Sequence, residues 1–108
     1  MANELQTICV VENTTVAGTR HIPDMAALAE GFEPGRALPL VRDAANPYDP
    51  WAVEVHDGAD HRIGYVSCEC NEFVARLLDG GRSVEGRLAQ KEQVGPWTRL
   101  VMEVMLHD

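Results

Sequence analysis

Apolar and polar residues alternate with period two in several short stretches of this chain, and the alternation stops repeatedly on glycine, proline, asparagine or aspartate. Val53 and Val55 fall on one face and Glu54 and His56 on the other, so residues 51–56 read as a half-buried strand. Asp57-Gly58-Ala59-Asp60 supplies a turn, and residues 62–66 pair back as the second arm of a hairpin. Residues 8–17, rich in Val, Thr and Ile and stopped by Gly18, predict a first strand, and residues 36–42 predict another. Two final strands are expected at 82–91 and 98–107, separated by the Gly95-Pro96 turn with Trp97 beside it.

Two stretches carry a helical period instead. Pro23 suits a first helical turn, Asp24 suits its positive end, and Met25, Ala26, Leu28 and Ala29 form an apolar stripe that Gly31 ends after about two turns. The stronger helix is capped by Ser67, carries Glu69 near its start, and aligns Cys70, Phe73, Val74, Leu77 and Leu78 before Gly80-Gly81. The predicted order is β-α-β-β-β-α-β-β, a mainly β, α+β chain. Six short strands joined largely by hairpins favour a small barrel, because closure removes exposed sheet edges; a split α+β sandwich is the alternative.

With 108 residues, 45% apolar and 24% charged, the chain is expected to form one domain over 1–108 with its core at about 8–106. No apolar run approaches the roughly 20 residues of a membrane helix, and the start lacks the basic segment of a signal peptide, so a soluble, cytoplasmic protein with no membrane partner is expected. Cys9, Cys68 and Cys70 are odd in number, and the single spacer between the last two is awkward for a relaxed disulfide, which fits a reduced compartment. Cys68 and Cys70 with His56 and His61 would make four zinc ligands, but zinc sites space cysteines by two to four residues, so no metal is expected. The net charge of −8 excludes a general coat for duplex DNA, which gains affinity by replacing counterions along many phosphates. It leaves room for a local pocket gripping one or two nucleotides by stacking and directed hydrogen bonds.

The segment Asp43-Ala44-Ala45-Asn46-Pro47-Tyr48-Asp49-Pro50 predicts an ordered loop, since its two prolines fix φ and its Asn and Asp side chains bond nearby amides. No nucleophile–base arrangement or phosphate-cradling glycine loop accompanies it, and catalysis and cofactors are not expected. This loop, the preceding Leu40-Val41-Arg42 and the following Trp51-Ala52-Val53, together with Val16-Ala17-Gly18-Thr19-Arg20-His21 and Ile63-Gly64-Tyr65-Val66, resemble a HIRAN domain. The resemblance implies a modified OB-like barrel with two helices and no catalytic activity. It further implies a nucleic-acid-binding module, with single-stranded DNA 3′ ends in repair or replication-fork processing as the ligand.

Carried over residue by residue, the resemblance places binding roles on Arg20, His21, Asn46, Tyr48, Asp49 and Tyr65, with Trp97 a looser correspondence. Tyr48 offers a π-face to a terminal base, Asp49 accepts from a 3′-hydroxyl and repels a phosphate, and Arg20 forks onto a phosphate oxygen. His21 stands where a DNA-binding relative has tyrosine. Bland readings stand beside these: Tyr48 packed on a strand, Asp49 forming an Asx turn, Arg20 paired with a carboxylate, and the tryptophans in the core or its rim. Two further functions stay open: an acidic adaptor for a helicase or nuclease, and a pocket for a small nucleotide.

Overall fold

The computed structural model describes residues 6–107. Strand β1 (Thr7–Thr15) leads through a 3₁₀ turn (Thr19–His21) and helix α1 (Met25–Leu28) to β2 (Ala37–Arg42), β3 (Val53–His56) and β4 (Arg62–Tyr65). Helix α2 (Asn71–Asp79) then precedes the long pair β5 (Ser83–Val94) and β6 (Trp97–His107). The strand order is β1-β6-β5-β2-β3-β4, with every neighbouring pair antiparallel. Six antiparallel strands and two helices thus form the curled half-barrel of an OB-like fold.

Alternation decides what faces inward. Val53 and Val55 of β3, Ile63 of β4, Leu38 of β2, Leu88 of β5 and Leu100, Met102 and Val104 of β6 are fully buried in one cluster. Helix α2 adds Val74 and Ala75 from its inner face, while Phe73 stays exposed. At the far edges the curl is completed outside the named strands. Ala17, just past β1, forms an antiparallel bridge with Tyr65 at the end of β4. The Ala17 N–H donates to the Tyr65 carbonyl at 2.8 Å and the Tyr65 N–H returns to the Ala17 carbonyl at 2.9 Å.

That closure depends on Gly64. A Cβ there would collide with the Ala17 carbonyl oxygen and come within 2.7 Å of Val16 Cγ1. The two edges meet because the residue between Ile63 and Tyr65 has no side chain.

Several boundaries differ from the sequence expectation, each for a local reason. The first strand ends at Thr15, two bulges having broken its register against β6, with Asn13 in the left-handed region at φ 51. Helix α1 is one turn, because Asp24 takes a left-handed φ of 56 and starts the helix late. Lys91 Nζ then donates to the carbonyls of Ala29 at 2.8 Å and Glu30 at 3.3 Å, where the helix has ended. Trp51 and Ala52 belong to the preceding loop, whose last turn is closed by the Ala52 N–H on the Asp49 carbonyl at 3.2 Å. Among the described residues no helix is long and apolar enough to cross a membrane.

The β3–β4 turn is organised by a buried carboxylate. Asp57 Oδ1 accepts from the amides of Ala59 at 2.7 Å and His61 at 3.1 Å, and Oδ2 lies 3.0 Å from His61 Nδ1. Burial acts to raise its pKa, but the two amides and the His61 ring outweigh that and hold the carboxyl below the usual aspartate range. A depressed native pKa means the carboxylate stabilises the fold above the unfolded-state value of about 4, and that contribution is lost as pH falls through the lower native value. Asp57→Asn is therefore expected to flatten the acid limb of a stability-versus-pH curve measured by urea unfolding. Superimposable acid limbs for the two proteins contradict this.

Candidate nucleic-acid interface

The loop between β2 and β3 is held by its own polar side chains. Asn46 Oδ1 accepts from the amides of Tyr48 at 2.8 Å and Asp49 at 3.0 Å, and Asn46 Nδ2 donates to Asp43 Oδ2 at 3.1 Å. Asp49 Oδ1 accepts from the Trp51 amide at 2.8 Å in an Asx turn. Its Oδ2 accepts at 2.7 Å from Nδ2 of Asn71, a buried residue at the start of α2. Arg42 braces the same loop from β2, donating to the carbonyls of Pro50 at 2.7 Å and Ala52 at 3.0 Å and pairing with Asp79. The Tyr48 ring takes no part in these bonds, and the residue is 94% exposed.

A second group forms at the turn after β1. Gly18 takes a φ of 81, which a residue with a side chain rarely adopts, and reverses the chain into the 3₁₀ turn. This turns Thr19 inward, where its buried hydroxyl donates to the Thr98 carbonyl at 2.8 Å and accepts from Trp97 Nε1 at 3.2 Å. The indole is thereby fixed half-buried at the rim, and the exposed Arg20 guanidinium lies over it, 4.8 Å from the ring centre. Arg20, Val94, Pro96 and Trp97 line a cavity of about 350 Å³. His21 follows on the same turn and is exposed. Among the described residues no carboxylate pairs with Arg20.

Tyr65 makes a third group. Its ring is half-buried, with the Arg62 guanidinium 5.1 Å from the ring centre and Arg62 Nη1 donating to the Tyr65 hydroxyl at 2.9 Å. The Ala17 bridge fastens Tyr65 three residues from Arg20 along the chain. The structure thus brings Arg20 together with Trp97 and ties Tyr65 to the same region. Asn46, Tyr48 and Asp49 form their own cluster, anchored on α2 through Asn71.

Three residues in these clusters, Thr19, Arg62 and Asn71, gain no role from the sequence alone. A threonine in a Thr-rich stretch and an asparagine inside a helix give no periodic signal, and each matters through a partner distant in the chain, Thr98 and Asp49 respectively. Arg62 lies three residues from Tyr65, on a strand whose register against β3 shifts between Val55 and His56.

The remaining polar residues have other duties. His56 pairs with Glu54 at 2.8 Å, His61 with Asp57, and the Cys70 thiol lies 3.7 Å from the Thr14 hydroxyl. Burial pushes the Cys70 thiol above its ordinary pKa, so it is a poor nucleophile and ligand. No group of three or more potential metal ligands occurs among the described residues. A larger cavity of about 450 Å³ sits beside α2, lined by Cys68, Glu69, Cys70, Glu72, Phe73 and Arg76. Arg76 there is already paired with Glu72 at 2.9 Å, so this wall offers a phosphate little net positive charge.

The chain is thus a small β half-barrel that displays a braced loop with a projecting ring and a guanidinium on an indole with, among the described residues, no carboxylate partner. The chain belongs to the HIRAN domain family, a family of nucleic-acid-binding modules, whose sequence profile matches residues 11–107. Two crystal structures share its fold. A protein from Lactobacillus plantarum superimposes with a TM-score of 0.85 at 24% identity, covering 97% of this chain and 99% of that one. The HIRAN domain of human HLTF superimposes with a TM-score of 0.69 at 19% identity, covering 95% of this chain and 77% of that one. No curated protein sequence matches the chain.

Proposed function

We propose that this chain binds single-stranded DNA at a free 3′ end, in the service of repair or replication-fork processing, and does so without catalysis. The observation that carries the reading is Tyr48, a large ring held almost wholly in water by a loop whose own polar groups are satisfied. An aromatic residue exposed in that way costs the apolar burial it would otherwise gain, and a base stacked on it returns about 1–3 kcal/mol whatever the sequence. Arg20 supplies a forked donor for a phosphate. Asp49 keeps acceptor capacity beyond its bonds to Trp51 and Asn71, so it receives a hydroxyl proton and repels a terminal phosphate.

Labelled short strands ending in a 3′-hydroxyl or a 3′-phosphate test this by fluorescence anisotropy. The hydroxyl end is expected to bind more tightly, and equal binding of the two ends defeats end recognition. Tyr48→Ala should weaken binding to every sequence by about 1–3 kcal/mol, with thermal stability unchanged because the ring packs on nothing.

A second reading rests on the charge of −8 and on the cavity beside α2, where Glu69 and Glu72 flank the exposed Phe73. That wall suits docking of a basic segment of a helicase or nuclease. Retention of a specific partner after nuclease treatment, lost in Phe73→Ala but kept in Tyr48→Ala, separates it from the first.

A further inference from the structure

Of the nine cations of this acidic chain, five have carboxylate or backbone-carbonyl partners. Arg42, Arg76 and Arg99 are paired with Asp79, Glu72 and Glu92, while Arg36 and Lys91 donate to the backbone carbonyls of Asp57 and of Ala29 and Glu30. Arg20 and Arg62 differ from these. Rings also underlie Arg36, on Phe32, and Arg42 and Arg76, on Trp51, and among the described residues Arg87 also lacks a carboxylate partner, but Arg20 and Arg62 combine exposure and a ring with the absence, among those residues, of any carboxylate partner. In a chain with 17 acidic and 9 basic side chains, two guanidiniums held on rings with their charge unneutralised need an explanation.

Their positions supply one. The Ala17–Tyr65 bridge joins the turn that carries Arg20 to the strand end that carries Tyr65, and Tyr65 carries Arg62 on its ring and hydroxyl. Ala17 and Arg20 are three residues apart, a chain length of at most about 11 Å. Arg20 and Arg62 therefore belong to the two segments that meet where the half-barrel closes.

We infer that Arg62 is a second phosphate contact, so that the ligand is a strand lying across this closure with at least two phosphates engaged. This rests on the reading of the chain as a single-strand binder and names a residue and a minimum ligand length for it. The ring beneath each guanidinium limits its motion and leaves its outward N–H groups for an anion. A mononucleotide satisfies one cation. A short oligonucleotide satisfies both.

The test is anisotropy of a labelled oligothymidylate with a free 3′-hydroxyl, titrated over a series of salt concentrations with the parent chain, Arg20→Ala, Arg62→Ala and Arg62→Gln. Glutamine removes the charge but keeps a donor for the Tyr65 hydroxyl, which separates loss of the cation from loss of the ring's support. Each phosphate contact on a single strand contributes about −0.7 to the slope of log affinity against log salt. Both Arg62 variants should bind about tenfold more weakly at low salt, with a slope shallower by about 0.7 and an unchanged melting temperature. Thymidine monophosphate should compete equally poorly with parent and variants.

If the parent binds, Arg20→Ala weakens it, and both Arg62 variants keep the parental slope, the inference about Arg62 is overturned while the end-binding reading stands. If the parent binds no single strand at any salt, the end-binding reading falls and this inference with it.

Discussion

Gly64→Ala is expected to destabilise the protein by about 3 kcal/mol or more, the upper end of what overpacking costs, because the new methyl meets backbone on one side and a buried branched side chain on the other. The Ala17 carbonyl cannot swing aside without breaking its bond to the Tyr65 amide, and Val16 Cγ1 sits in the core with its residue 1% exposed. For a domain of this size the change corresponds to a fall in Tm of about 15 °C. Urea unfolding gives the magnitude, and native-state hydrogen exchange gives the mechanism: the amides of Ala17 and Tyr65 should lose protection more than those of the β5–β6 pair. A variant with parental stability and unchanged protection at those two amides contradicts the account. The same substitution should also weaken oligonucleotide binding, since it separates the turn bearing Arg20 from the ring of Tyr65.

Asp49→Ala is the second large effect, and it combines stability with binding. The substitution removes the acceptor of the Trp51 amide and of Asn71 Nδ2, and the latter belongs to a buried residue that then lacks its partner. A lost bond to a charged acceptor and an unpaired buried donor together cost about 3 kcal/mol. The loop bearing Tyr48 is also released from α2, so affinity for every single strand should fall along with the preference for a free hydroxyl. Asn71→Ala discriminates the two roles. It removes the tie to α2 but leaves the carboxylate, so it should lower stability while the preference for a 3′-hydroxyl over a 3′-phosphate persists. Loss of that preference in Asn71→Ala would mean that Asp49 acts only through loop geometry.

The parts of the fold legible in the sequence are those in which neighbours in the chain are also neighbours in space. Val53 and Val55 against Glu54 and His56, followed by Asp57-Gly58, define the β3–β4 hairpin, and the Gly95-Pro96 turn defines the β5–β6 pair. The run from Phe73 to Leu78 likewise marks α2. Features set by contacts across the chain were not legible. The bulges that end β1, the bridge of Ala17 to Tyr65 and the Asp49–Asn71 bond depend on partners tens of residues away, about which periodicity is silent, and the left-handed φ of Asp24 that shortens α1 leaves no mark on the apolar pattern. At the candidate site, the Asn46-Pro47-Tyr48-Asp49 loop could be expected to be stiff from its residue types alone. That Tyr48 faces water, that Arg20 lies on Trp97 and that Arg62 lies on Tyr65 required the fold.

The circumference of this molecule is unevenly fastened: β5 and β6 are zipped from Ser83–His107 to Val94–Trp97, whereas among the described residues the two free margins of the sheet meet through a single reciprocal pair of backbone hydrogen bonds. Mechanically it is a split ring, and its gap is where it gives first under thermal agitation. A flexible polymer laid over that gap and gripped on both banks would work as a strap, so that occupancy and resistance to opening would rise together, and the ring would in turn respond to tension on the bound thread.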